Sequence, residues 1–169
     1  VRGEKGLGLA EECGCIGDID LLCGTFGKAL ASVGAYAICD RIIREWLVNR
    51  MRTLIFTTAL PPLNIAWSLF IMRRIAGFTD LRQRLALTSS ALREAFARQG
   101  IRMPSQSHII PMIIGSGADA ASKAEEMQKK GFYVLPIRPP TVPEGTSRLR
   151  FSLTAGITEE EIQTLIESI

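Results

Sequence analysis

The side chain with the most chemical reach is Lys28, which ends the run Gly24-Thr25-Phe26-Gly27-Lys28. Flanking glycines let a backbone approach a ligand closely. An amine held partly away from water gives up its charge more readily. It can then attack a carbonyl carbon and form a Schiff base. Thr25 adds a hydroxyl able to donate to a phosphate. A nucleotide-binding P-loop is excluded, because that pattern needs Gly at 22 and Ser or Thr at 29, where the chain has Leu22 and Ala29. Without further support the same run reads as a surface turn with a solvated lysine.

Three other segments can do chemistry. Arg138 stands before Pro139 and Pro140, with Thr141 following. Proline holds its own φ and pushes the preceding residue to extended geometry, so Arg138 is presented stiffly. A stiff guanidinium suits a carboxylate, gripped through two parallel hydrogen bonds. Thr57 and Thr58 precede Pro61 and Pro62, and hydroxyls ahead of a helix start suit a phosphate or simply cap the helix. Gly115-Ser116-Gly117-Ala118-Asp119-Ala120 satisfies the dinucleotide-binding spacing. That reading also wants an acidic residue about twenty positions on, and the stretch there carries Arg138, so a plain strand-to-helix turn is preferred. His108, the single histidine, heads the IIPMII strand and reads as a satisfied strand-end histidine rather than a catalytic base.

These residues need elements to place them. Val33 to Cys39 reads as a buried strand and Leu54 to Thr57 as a short one. Asp40 can cap a helix carrying Ile42, Ile43, Trp46, Leu47 and Met51, and Pro61-Pro62 suits the first turn of the next. A long helix is predicted over 80–99, ending at Gly100. Strands are predicted at 108–114, 132–137 and 148–154, with a helix to about Lys130 after the first. Thr158 and Glu161 form a capping box for a last helix. The order β-α-β-loop-β-α over this final stretch predicts a small α+β lobe.

Composition narrows the function. A chain of 169 residues with 47% apolar and 22% charged residues is globular. A net charge of +3 is too weak to argue for nucleic acid or an anionic membrane as partner. Leu60 to Met72, the most apolar stretch, is too short and interrupted to span a bilayer. Cys13, Cys15, Cys23 and Cys39 include no CxxC pair, so no metal site is predicted, and free thiols suit the reducing cytoplasm.

Taken in order, GTFGKALASVGAYAIC, LIFTTALPP and IRPPTVPEGTSRLRFSLTA resemble the α-oxoamine synthases, fold-type I pyridoxal-phosphate enzymes. The last segment is most similar to the biotin-pathway branch. The resemblance covers essentially the whole chain. It implies an α/β fold: residues 1–78 as the C-terminal part of a large cofactor-binding domain, and 79–169 as a small C-terminal α+β domain. It implies that Lys28 anchors pyridoxal 5'-phosphate and that Thr25 contacts its phosphate. Thr57 and Thr58 would reach the phosphate bound by the other subunit of a homodimer. Arg138 would hold the amino acid's carboxylate, with Thr141 against the substrate. The implied reaction is a decarboxylative condensation of L-alanine with pimeloyl-CoA. Other members of the family join different amino acids and acyl groups, and a non-catalytic module is the reading from another class. The family's cofactor-ring aspartate and histidine have no counterpart here, so the chain is expected to be a C-terminal portion, inactive by itself.

Overall fold

A computed structural model describes all residues from Val1 to Ile169. The chain divides into two compact units, Val1–Thr79 and Asp80–Ile169.

In the first unit a short helix α1 (Leu9–Glu12) leads into an antiparallel hairpin of β1 (Leu21–Thr25) and β2 (Ala35–Cys39). The register pairs Leu21 with Cys39 and Thr25 with Ala35, leaving residues 26–34 as the hairpin's tip. Helix α2 (Arg41–Arg50), a single turn α3 (Arg52–Ile55) and α4 (Pro62–Met72) follow. Proline fits the first turn of α4 because the N–H it lacks would have no partner there. Several sequence expectations are corrected in this unit. Leu54 belongs to a helical turn, not a strand, because the Leu54 and Ile55 N–H groups both bond back to the Met51 carbonyl. The strand expected over 33–39 starts at Ala35 and is largely exposed, with Ile38 56% accessible. Gly24 and Thr25 are strand residues, not loop. Asp40 precedes α2 without a side-chain capping bond.

The second unit holds a true core. Helix α5 (Thr79–Arg98) comes first, then β3 (Ile109–Gly115), α6 (Gly117–Lys129), β4 (Pro136–Ile137), β5 (Ser147–Ser152) and α7 (Glu159–Ser168). The strands form one antiparallel sheet in the order β3-β5-β4. Alternation along β5 sends Ser147, Leu149 and Phe151 inward and leaves Arg150 and Ser152 outside. Leu149 lies opposite Met112, and Phe151 opposite Ile110. Leu85, Leu92 and Phe96 recur at helical spacing along α5 and join the same cluster, as do Met127 of α6 and Leu165 of α7. The expected strand over 132–137 shrinks to Pro136–Ile137, because the Gln128 side-chain amide donates to the Val134 carbonyl (2.8 Å). The Thr158–Glu161 capping box forms as expected.

The units differ sharply in what they bury. Every buried apolar side chain falls between Leu85 and Leu165. The first unit's one buried residue is Ser68, while Ile42, Phe56 and Leu63 are each more than three-quarters exposed. No helix is long and apolar enough to cross a membrane.

Candidate active site

Lys28 occupies the tip of the β1–β2 hairpin. The tip is closed by backbone bonds from the Phe26 N–H to the Gly34 carbonyl (3.0 Å) and from the Ser32 N–H to the Phe26 carbonyl (2.9 Å). A third, from the Ala31 N–H to the Lys28 carbonyl (2.9 Å), makes the turn that carries the lysine. Ala31 takes a left-handed conformation (φ 48°), which costs a side-chain-bearing residue about 1–2 kcal/mol. At the neck the Phe26 and Tyr36 rings meet at 5.1 Å, tilted by 48°. Tyr36 lies across Gly24, where any β-carbon would collide with its ring.

The Lys28 side chain is exposed, as the solvated-turn reading of this run has it. Its amine takes no part in the ion pairs Arg2–Glu12, Arg41–Glu45, Lys123–Glu126 and Lys130–Glu126. It is therefore uncommitted. Thr25 ends β1 on the rim of an open, mainly apolar groove of about 630 Å³ walled by Tyr36, Leu47 and Met51. Thr57 and Thr58 lie in the exposed segment between α3 and α4. That segment touches the neck of the hairpin through Leu60, which packs on Gly34.

In the second unit Arg138 follows β4, and its carbonyl accepts the Thr141 N–H (3.0 Å). This turn, with a cis bond between Pro139 and Pro140, brings Arg138 and Thr141 to the ends of one short exposed segment. The Arg138 stem runs beside Gly117, the first residue of α6. Ser116 caps that helix by accepting the Asp119 N–H (3.1 Å), as a strand-to-helix turn requires. Ser147, fully buried alongside, has a hydroxyl without a partner. The sequence reading singled out Arg138 and passed over Arg148 and Arg150. Both lie on the face of β5 turned away from the core, and Arg150 is an exposed guanidinium available to an anion. The alternation of RLRFSLT was the signal for them.

Within the first unit the residue types present fit pyridoxal phosphate, an amine able to take up an aldehyde and threonine hydroxyls able to donate to a phosphate; the second unit separately carries exposed guanidinium groups. The aminotransferase class I and II family model matches residues 7–169. An 8-amino-7-oxononanoate synthase of Haemophilus ducreyi is 53% identical over 167 residues, covering 98% of this chain and 43% of the relative. A serine palmitoyltransferase of Sphingomonas wittichii superposes with a TM-score of 0.91 at 30% identity, over 98% of this chain and 42% of that one. A structure of SPT with PLP gives 0.92 at 30% identity, covering 98% and 42%. The 8-amino-7-oxononanoate synthase of Francisella tularensis gives 0.85 at 26% identity, covering 99% and 50%. The chain thus spans under half the length of the curated relatives it matches. With its hairpin lysine and small α+β unit, the chain belongs to the aminotransferase class I and II family of fold-type I enzymes.

Proposed function

We propose that the chain is part of a pyridoxal-phosphate-dependent acyltransferase that condenses L-alanine with pimeloyl-CoA in biotin biosynthesis. The carrying observation is the uncommitted amine of Lys28 at the tip of the hairpin, in a chain of this family. The 53% identity to a relative named for that product favours this reading. The solved serine palmitoyltransferases, at 30% identity, support a second: a family member using another amino acid and acyl group.

Pyridoxal phosphate, when bound, supplies an electron sink for negative charge at the amino acid's Cα. Lys28 would hold it through its amine, and the same amine would accept the Cα proton. Thr25 donates its hydroxyl to the phosphate. Thr57 and Thr58 do the same for the other subunit of a homodimer. Arg138 pairs with the amino acid's carboxylate, fixing which bond at Cα is presented, and Thr141 flanks it. The new bond joins Cα to the thioester carbonyl carbon, the C–S bond breaks and CoA leaves as its thiol. The carboxylate then departs as carbon dioxide and Cα regains a proton.

The bare apolar surface of the first unit supports a role inside a larger enzyme over that of an independent module, since exposed patches of this extent mark interfaces. The 169-residue chain by itself is accordingly expected to show no turnover.

The test is Lys28→Ala in the full-length protein with pyridoxal phosphate. Loss of both the cofactor's visible absorption shift and the turnover of L-alanine with pimeloyl-CoA is expected. Retention of both in the variant removes Lys28 from the chemistry. Glycine or serine outcompeting alanine in a substrate panel would select the second reading.

A further inference from the structure

The hairpin tip bearing Lys28 is held by few bonds of its own, and one of its residues, Ala31, stays in a left-handed conformation (φ 48°). What steadies it is helix α4. The Trp67 indole N–H donates to the Leu30 carbonyl (3.1 Å). The Ser68 hydroxyl donates to the Ser32 hydroxyl (3.0 Å), which in turn donates to the Asn64 carbonyl (3.4 Å). Leu30 and Ser32 lie just beyond Lys28, on either side of the strained Ala31. Ser68 is the most buried residue of its unit, at 8% accessible.

Trp67 is itself braced. Its ring stacks on Phe70 with centroids 5.6 Å apart and planes 23° apart. The Arg74 guanidinium lies 3.8 Å from the centroid of the Phe70 ring. Trp67 and Phe70 sit at i and i+3 on one side of α4, and Arg74 folds back onto Phe70 from the turn after the helix. An aromatic ring packed in this way has little rotameric freedom, so its N–H stays aimed at one acceptor.

We propose that Trp67 and Ser68 are positioning residues for Lys28: through Leu30 and Ser32 they fix the tip, and so fix where the lysine amine stands. This rests on the reading of Lys28 as the cofactor-anchoring, proton-accepting lysine. A base misplaced by an ångström loses rate while ground-state binding persists.

The test uses the full-length protein with Trp67→Phe, which keeps a ring to stack on Phe70 and deletes the N–H donor along with the second ring of the indole. Ser68→Ala deletes the hydroxyl and Ser68→Thr restores one. In the cofactor-free protein, amide hydrogen exchange at Ala31 and Ser32 is expected to quicken about fivefold for the loss of one such bond, with α2 unchanged. In the loaded enzyme kcat falls about tenfold while the amino-acid KM stays within about twofold, and Ser68→Thr returns kcat. Unchanged exchange at Ala31 and Ser32 overturns the proposal. So does exchange rising equally through β1, β2 and α2, or kcat and KM moving together. If Lys28→Ala keeps its activity, the reading of Lys28 fails, and the exchange experiment still decides whether α4 holds the tip.

Discussion

Gly34→Ala tests how tightly the hairpin tip is specified. Gly34 has φ +94°, a conformation that side-chain-bearing residues adopt at a cost of about 1–2 kcal/mol. An added β-carbon would also sit 2.6 Å from Leu60 Cδ1 and 3.2 Å from Cδ2. Leu60 is 36% accessible and meets the new carbon with the end of its side chain, so it can turn aside. The overlap therefore adds about 1 kcal/mol, the low end of what overpacking costs. The sum is about 2–3 kcal/mol of destabilisation. Gly117→Ala is the control. Its β-carbon would meet Arg138 Cδ at 3.5 Å and Ser147 Oγ at 3.8 Å, which are ordinary contacts, at the start of helix α6. That substitution restricts the unfolded chain and is expected to be neutral or to stabilise by about 0.4–1 kcal/mol. Urea unfolding of the full-length protein and both variants measures the difference. In Gly34→Ala the Phe26 amide, which bonds to the Gly34 carbonyl, should also exchange faster. A Gly34→Ala stability within about 0.5 kcal/mol of the parent, the range of an indifferent surface change, would refute the reasoning. The same sign of change in both variants would refute it equally.

Two further outcomes follow from the second unit. Hydrogen bonds from Lys130 and then Lys123 hold the Glu126 carboxyl at about 2, below its ordinary 4.5. A folded-state value below the unfolded one means a contribution present above pH 4.5 and lost as pH falls through about 2. The melting temperatures of the parent and Glu126→Gln should therefore converge as pH drops through that window, and a gap independent of pH would count against the pairing. Phe96 is fully buried and meets Phe151 edge-on with centroids 5.7 Å apart. Phe96→Ala should cost about 3–5 kcal/mol in denaturant unfolding; a loss under about 1 kcal/mol would mean that the cavity collapses.

Much of the fold was legible because its signals are local. Thr158 and Glu161 bond reciprocally within one helical turn. Ser116 caps α6, and Pro62 stands in the first turn of α4. The errors came where a short apolar run has no period of its own. Leu54 and its neighbours became a helical turn, and the strand before Pro136 was cut short by a glutamine side chain that captured a backbone carbonyl. The burial expected for 33–39 failed for another reason. Apolar residues report what a strand is able to bury, not what this chain brings against it.

The candidate chemistry divides in the same way. Residue types and spacing determined that Lys28 could attack a carbonyl, that Thr25, Thr57 and Thr58 could hold a phosphate, and that Arg138 could grip a carboxylate. Only the tertiary structure decided that Lys28 is exposed at a hairpin tip, that Arg138 stands at the start of α6, and that Arg150 faces away from the core. It alone showed Trp67 reaching the Leu30 carbonyl across 37 positions of chain. A side chain's reactivity is a property of its own atoms, readable one residue at a time. Its placement is set by contacts between residues distant in sequence, which no local pattern encodes.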